Sequence, residues 1–230
     1  MPRFHRNSPP EPPPPDPDDW RPQRFGGSGG RYARDVIIEP SWGGVRVLAR
    51  FCDGATRFTD EDGVDCTSEF AGVAEALNAA AMAEDFILDG FLTVEPTQAT
   101  AGIPLAEIAP PTKGQMMTAW VVGGRVAKPT TTERPLDPTM PVAFVAVDLL
   151  EIDGSRLLDI PLLERKRLLD GALRPSELVR ITPFVRPPIG TFLATWRGLG
   201  FHALVYKAAN SRYTPNARND DWSVVSMPIT

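Results

Sequence analysis

The octapeptide EPSWGGVR (residues 39–46) carries three side chains that could do chemistry: a carboxylate, a hydroxyl and a guanidinium. A serine hydroxyl becomes an effective nucleophile only when a neighbouring base takes its proton. Ser41 is flanked by Pro40, Trp42 and Gly43, none of which is a base. Ser41 therefore has no evident activating partner in its own segment.

Five ionisable side chains each have two interpretations. Arg46 fits either a surface salt bridge or a ligand contact, and Lys207, on a predicted strand, fits a structural role or a ligand contact. Glu39 and Asp148 could hold loop backbone amides or touch a ligand. His202 fits a satisfied imidazole at the edge of the core, or an acid, a base or a ligand contact. Residue types alone leave these alternatives open.

Three amphipathic helices are predicted around these positions. Apolar residues at helical spacing follow Thr67 and Ser68, which can cap a first turn. A second helix has Pro161 in its first turn. The third runs from about Ile189 and is closed by Gly198 and Gly200. We expect these helices to cover the outside of a sheet.

Short apolar runs between Gly-Gly and Asp-Gly turns predict strands. The first three resemble an antiparallel meander, and a hairpin at residues 120–127 is the one element suggested between residues 95 and 140. The predicted strands are DVIIEP (35–40), VRVLARFCD (45–53), TRFTDED (56–62), FILDGFLTV (86–94), VAFVAVDLLEI (142–152), ALVYKAA (203–209) and WSVVSM (222–227).

Length and composition are typical of a globular chain. The 230 residues are 42% hydrophobic, enough for one large domain or two small ones with a proper core. Cys52 and Cys66 are too few for a disulfide framework and lack zinc-site spacing, which indicates reduced thiols and a cytoplasmic location. No apolar run approaches the roughly 20 residues that cross a bilayer, so we expect no membrane partner.

Residues 1–30 are rich in proline and glycine and contain almost no aliphatic side chains. Such a segment buries too little apolar surface to offset its ordering entropy, which predicts a disordered tail. The PPEPPPP run within it favours polyproline II, which can dock on aromatic grooves. We therefore predict two parts, a tail at 1–30 and a folded domain at 31–230.

The net charge of −5 makes the chain a poor stand-alone DNA clamp, because nucleic-acid affinity rests largely on cationic side chains. One basic strip is present, but acidic residues interrupt it, which favours a solvated, salt-bridged helix face. We expect DNA binding to be weak or indirect. The strip consists of Arg165, Lys166, Arg167, Arg174, Arg180 and Arg186.

Six segments, taken in order, resemble the motifs of the ATP-dependent DNA ligase adenylation domain, and the resemblance covers residues 35–227. It implies an α+β fold of two packed antiparallel β-sheets flanked by helices. Because the sequence ends within about eight residues of the last motif, we expect no OB-fold. The segments are EPSWGGVR (39–46), DEDGVDCTSEF (60–70), ILDGFL (87–92), AVDLLEIDGSRLLDIPLLERKRLL (146–169), HALVYKAANSRY (202–213) and NDDWSVVS (219–226).

The same resemblance implies that the nucleotide pocket is degenerate. Ser41 stands where the family has the lysine that becomes adenylated, and Glu39, Gly44 and Arg46 fix that register. Six further positions also differ from the family pattern. Glu61 replaces an arginine, Phe91 a glutamate, Val147 an aromatic residue, His202 a second glutamate, and Val224 and Ser226 two closing lysines. The predicted pocket positions are Glu39, Ser41, Arg46, Glu61, Phe91, Val147, Asp148, His202 and Lys207.

Three functions follow as hypotheses. The first is a ligase-like pseudoenzyme that binds a partner, with DNA repair as the default context and no cofactor. The second is an active ligase or nucleotidyltransferase that uses another lysine, such as Lys207, or a partner chain, and that requires ATP and Mg²⁺. The third is an assembly module that docks on a protein partner through its Pro-rich tail. Whether the chain is an enzyme stays open at this point.

Overall fold

The structure, a computed structural model, describes residues 16–27, 29–94, 120–122, 125–127 and 142–227, with only the backbone of 29, 120–122 and 125–127. Its α-helices are α1 (Ala71–Ala80), α2 (Leu162–Ala172) and α3 (Gly190–Gly198). Its strands are β1 (Arg24–Phe25), β2 (Val36–Pro40), β3 (Val45–Cys52), β4 (Ala55–Asp60), β5 (Phe86–Thr93), β6 (Trp120–Val122), β7 (Arg125–Ala127), β8 (Ala143–Ile152), β9 (Ser155–Arg156), β10 (Val179–Ile181), β11 (Ala203–Ala208), β12 (Arg218–Asn219) and β13 (Trp222–Ser226).

Two sheets build the domain. The larger has the order β10-β8-β5-β3-β4, with β9 paired to β8, and the smaller has the order β13-β11-β2. Most neighbours are antiparallel, as predicted, whereas β10 pairs with β8 in parallel. A short parallel pair joins β1 to β12. The mixed α/β fold with packed antiparallel sheets agrees with the predicted fold class.

Both faces of the larger sheet are buried, because alternate strand residues point in opposite directions. On β3, Val47 and Ala49 belong to the outer core under α1, whereas Leu48 belongs to the inner core. On β8, Ala146 faces the outer core and Val147 faces the smaller sheet. The larger sheet is thus the middle layer between helix and smaller sheet.

The predicted meander at residues 35–62 is wrong for its first strand. β3 and β4 form an antiparallel hairpin, but β2 pairs with β11 in the other sheet. The chain crosses between sheets through Gly44, which has a φ of +108°. A Cβ at that position would overlap the carbonyl oxygen of Leu92. Strand periodicity cannot reveal this crossing, because it reports which faces are buried and not which strands pair.

The predicted cap of the first helix is also wrong. Residues Thr67–Phe70 form a 3₁₀ helix, and α1 begins after Phe70 without a side-chain cap. The hydroxyl of Thr67 instead accepts a hydrogen bond from the backbone N–H of Phe58 at 2.9 Å. Thr67 therefore satisfies a backbone N–H on the outer edge of β4. Pro161 lies at the N-cap of α2 rather than inside its first turn.

The predicted tail does not extend to residue 30. Trp20 is 1% exposed and Gln23 is fully buried, although both lie in the segment predicted to make few contacts. Trp20 packs in the inner core with residues such as Ile37 and Trp222. Two large aromatic rings, Trp20 and Phe25, supply the apolar surface that the aliphatic count missed. Residues 1–15, with the PPEPPPP run, lie outside the described part of the chain.

The hairpin predicted at residues 120–127 is present. β6 and β7 pair in antiparallel fashion, with Val121 opposite Val126. Residues 95–119 and 128–141 lie outside the described part of the chain.

Candidate functional site

A narrow cleft lies where the smaller sheet faces β3, β5 and β8. Six of the nine predicted pocket residues line it, so the fold brings these six together. Its free space is about 10 Å³, roughly what one water molecule needs. The lining residues are Phe25, Glu39, Pro40, Ser41, Trp42, Arg46, Phe91, Val147, Val205, Lys207 and Trp222.

Neighbouring strands of the smaller sheet place the polar groups of this cleft. Glu39 of β2 lies opposite Val205 of β11, so both side chains share one face. Ser41 follows β2 directly, and its backbone N–H donates to the carbonyl of Ala203 at 3.0 Å. Lys207 is two residues beyond Val205 and therefore points to the same face. These pairings fix Glu39, Ser41 and Lys207 along one wall.

Glu39 is shared by two buried lysines. Its carboxylate oxygens lie 2.5 Å from the Nζ of Lys166 and 2.8 Å from the Nζ of Lys207, and all three side chains are 2% exposed. Lys166 arrives from α2, whereas Lys207 belongs to β11. A buried carboxylate needs such partners, because leaving it unpaired costs several kcal/mol. Glu39 thus holds a helix and two strands together.

Lys207 also lies over an aromatic ring, with its Nζ 3.9 Å from the centroid of Trp222. Burial lowers the pKa of Lys207 below its ordinary 10.5, and the charge of Lys166 adds to this lowering, although Glu39 opposes it. Burial sets the direction of the change, because it removes the charged ammonium group from water. Lys207 therefore loses its proton more readily than an exposed lysine.

Arg46 makes a bidentate ion pair with Asp89 across β3 and β5, at 3.0 and 2.7 Å. Burial alone would lower the pKa of Arg46, but the carboxylate of Asp89 outweighs it and the pKa is raised overall. Tyr213 donates its hydroxyl to the same carboxylate at 2.9 Å. Burial, followed by the charge of Asp89, raises the pKa of Tyr213 well above its ordinary value.

Asp148 of β8 is not among the lining residues and pairs with Arg165 of α2. The two bonds measure 2.9 and 2.8 Å, and both side chains are fully buried. Arg165 also donates to the carbonyls of Ile160 and Ser211. The prediction of a solvated basic strip is therefore wrong for Arg165 and Lys166, and also for Arg180, which is buried in β10. It holds for Arg167, which is exposed and paired with Glu164 at 2.7 Å.

Three of the predicted pocket residues do not line the cleft. Asp148 is fully buried in its pair with Arg165, and Glu61 is an exposed residue just after β4. His202 precedes β11, where its carbonyl accepts the backbone N–H of Met227 at 2.8 Å. Spacing along the sequence cannot separate these residues from the true lining, since that depends on which side of each strand faces inward.

Phe25 and Trp222 are lining residues that the site prediction missed. Trp222 begins a predicted strand but was not among the predicted pocket positions, and Phe25 was placed in the tail. The rings lie 6.2 Å apart, centroid to centroid, and Phe25 also covers Arg46 at 5.0 Å. Trp20 and Phe25, in the Pro- and Gly-rich segment of residues 1–30, were the available signal, because such residues are seldom left in solvent.

Comparisons with known proteins identify the family. The model of the ATP-dependent DNA ligase domain matches residues 30–224. A probable DNA ligase of Streptomyces coelicolor is 30% identical over 191 residues, covering 81% of this chain and 34% of the relative. The multifunctional non-homologous end joining DNA repair protein LigD of Mycobacterium tuberculosis is 28% identical over 199 residues, covering 84% and 22%. The chain belongs to the ATP-dependent DNA ligase domain family.

Solved structures agree on the fold. The ligase domain of M. tuberculosis LigD superposes with a TM-score of 0.62 at 24% identity, over 92% of this chain and 60% of that one. A mycobacterial DNA ligase D complexed with ATP and MES gives 0.62 at 21% identity, over 92% and 61%. The chain spans about a third or less of the length of the curated relatives quoted above.

Two further observations concern the described residues alone. They contain no group of three or more His, Cys, Asp or Glu side chains that could hold a metal ion. They also contain no helix that is long and apolar enough to cross a membrane.

Proposed function

We propose that this chain is a DNA ligase-like domain that no longer adenylates itself and that acts as a binding or accessory module. Its context is DNA repair, and its partner is a protein of a repair or larger assembly. The observation that carries the proposal is the closed cleft beside Ser41, where the family resemblance places the adenylated lysine. Free space of about 10 Å³ admits one water, whereas ligand sites have about 300–1,000 Å³.

The charged groups around the cleft also do not fit ATP and Mg²⁺. A magnesium ion needs carboxylate oxygens that are free to bind it. Each buried carboxylate here has a cationic partner: Glu39 has two lysines, Asp89 has Arg46, and Asp148 has Arg165. The cations are equally engaged, so phosphate would have to compete with a carboxylate for each of them. We therefore propose that the domain uses no ATP or metal cofactor.

Covalent labelling tests the loss of self-adenylation. The protein is incubated with Mg²⁺ and ATP labelled on the α-phosphate, then separated by denaturing electrophoresis beside an active ligase. We expect no labelled band. A band that survives denaturation contradicts the proposal.

The Ser41→Lys variant tests whether the missing lysine alone prevents adenylation or whether several pocket residues have to be restored. Each charge-assisted phosphate contact contributes about 1.5–3 kcal/mol, so a restored lysine without the closing lysines stays several powers of ten too slow. We expect the variant to remain at background, with nick sealing also absent. Weak adenylation is expected only when the other positions are restored together, as Glu61→Arg, Phe91→Glu, Val224→Lys and Ser226→Lys. Robust adenylation by Ser41→Lys alone would indicate an intact pocket.

An active enzyme that uses Lys207 is the second candidate. One observation favours it: Lys207 lines the cleft and its pKa is lowered, as a nucleophilic amine requires. Against it, the Nζ of Lys207 lies 2.8 Å from Glu39 and over the ring of Trp222. If wild type becomes labelled, Lys207→Met decides the assignment, since loss of the band would identify the nucleophile.

The third candidate, docking through the Pro-rich tail, concerns residues 1–15 and stays a sequence-based prediction.

A further inference from the structure

The segment of residues 16–27, here called the N-terminal segment, enters the cleft from outside both sheets. Trp20 fills the inner core, and Phe25 reaches the lining of the cleft. The Arg46 guanidinium lies between two rings, 5.0 Å from the centroid of Phe25 and 5.8 Å from that of Phe91. Phe25 therefore covers the one arginine among the lining residues.

Most hydrogen bonds that hold the N-terminal segment come from the loop that precedes β13. The backbone N–H of Arg24 donates to Ala217, and that of Gly26 donates to Trp222, both at 2.9 Å. The carboxylate of Asp220 accepts the N–H of Gly27 at 2.9 Å. Ala217 and Asp220 are exposed, so water can replace these two partners when the segment moves, whereas Trp222 is fully buried.

A second group of bonds ties the segment to the ion pair beneath it. The backbone N–H of Gln23 donates to the Tyr213 hydroxyl at 2.8 Å, and that hydroxyl donates to Asp89 at 2.9 Å. Asp89 in turn holds Arg46. The position of the segment is thus linked to the arginine that faces the cleft.

We propose that the N-terminal segment is an intramolecular plug, and that the ring of Phe25 keeps the cleft closed to any ligand larger than water. The plug opens when residues 24–27 leave the loop before β13 while Trp20 stays in the inner core, which exposes Arg46 and the wall that carries Ser41 and Lys207. Any partner that recognises this wall therefore has to displace the protein's own aromatic side chain. The inference does not depend on whether the cleft retains chemistry, so the labelling with ATP and the test below can fail separately.

A buried reporter thiol measures the opening. Val147 lines the cleft and is 3% exposed, so Val147→Cys introduces a thiol of similar size that is shielded when the plug is closed. The exposed Cys52 is replaced by serine, while the buried Cys66 is retained and followed by peptide mapping. The rate of alkylation by iodoacetamide is read by mass spectrometry on the full chain.

Two variants open the plug in different ways. Phe25→Ala removes the ring, and Asp220→Ala removes a surface acceptor outside the cleft. We expect the reporter to be alkylated at least tenfold faster with Phe25→Ala and several-fold faster with Asp220→Ala. Phe192→Ala, which removes a phenylalanine that is 45% exposed on α3, is the matched control and should leave the rate unchanged.

Several outcomes overturn the plug. Rapid alkylation in the parent would mean that the cleft is already open, and unchanged rates in both variants would mean that the segment does not control access. Acceleration by Phe25→Ala alone would mean that the ring fills space in a segment that never leaves. Thermal melting and circular dichroism are measured on every variant, and Asp220→Ala keeps the test valid if Phe25→Ala does not fold.

Discussion

At the residue scale, the buried charged groups of the cleft are paired with one another in ion pairs. Arg46 with Asp89 and Glu39 with two lysines each join elements that are distant in sequence. A buried ion pair adds little net stability, because desolvation offsets most of the attraction, but loss of one partner is costly. These ion pairs therefore have a structural role that does not depend on catalysis.

Lys207 carries a pH dependence of stability. Its pKa is lowered in the folded state, whereas the unfolded chain titrates near the ordinary 10.5. Between those two pKa values the unfolded state binds more protons, so the free energy of unfolding rises with pH. Below the folded-state pKa, Lys207 is protonated in both states. Its contribution to the free energy of unfolding then no longer changes with pH and has its least favourable value. We expect stability to increase as pH rises toward about 10.

Urea unfolding from pH 7 to 10 checks this expectation, with Lys207→Met as the test variant. Removal of the amine should abolish the rise, while Glu39 keeps Lys166 as a partner. Arg167→Met, at an exposed position of α2, is the control and should retain it. Equal slopes in wild type and Lys207→Met would show that Lys207 does not titrate in this range. Above pH 10 the raised pKa of Tyr213 acts in the opposite direction, because only the unfolded state then loses the proton.

At the element scale, the crossing between β2 and β3 decides which strands form the cleft. The turn carries Ser41 out of the smaller sheet and returns Arg46 within the larger one, so both face the same space. Gly44 makes this possible through its positive φ and its close approach to Leu92. The crossing is thus a backbone requirement that glycine meets without strain.

Gly44→Ala is expected to destabilise the domain by about 1–3 kcal/mol, because alanine is strained at positive φ and its Cβ would overlap the Leu92 carbonyl. Gly72→Ala is the matched control. Gly72 is on the first turn of α1 with open space where a Cβ would lie, so alanine should stabilise by up to about 1 kcal/mol. Chemical denaturation measures both changes. A neutral Gly44→Ala would mean that the turn relaxes easily and does not fix the cleft.

At the scale of the whole molecule, the N-terminal segment and the loop that precedes β13 pack together beside the inner core. Trp20 joins residues of both sheets in the inner core, among them Ile37, Leu48 and Trp222. β1 and β12 pair next to this core although nearly 200 residues separate them in the chain. The domain therefore starts before residue 31, and the segment is part of its cooperative unit.

Trp20→Ala should lower the free energy of unfolding by about 3–5 kcal/mol, as expected for truncation of a buried aromatic residue. Tyr32→Ala, at a ring that is 75% exposed, is the control and should change stability by less than about 0.5 kcal/mol. Urea titrations followed by circular dichroism measure both. If Trp20→Ala behaves like the control, the segment is an appendage and not part of the core.

The sequence by itself determined the family and the two-sheet fold, and it named six of the eleven residues that line the cleft. Motif order along the chain identifies these features because each motif is local, and the strands that carry Glu39, Arg46 and Lys207 are read from a few consecutive residues. Local periodicity likewise placed the three helices and the 120–127 hairpin close to their observed bounds.

The tertiary structure alone decided which charges pair, which sheet receives β2 and what fills the cleft. Lys166 was predicted to face solvent, yet the packing of α2 places it 2.5 Å from Glu39. Phe25 was assigned to a tail, yet a loop almost 200 residues later holds it over Arg46. Such contacts depend on the relative placement of whole elements. Hydrophobic pattern and residue type do not encode that placement locally, because burial is a property of the assembled fold.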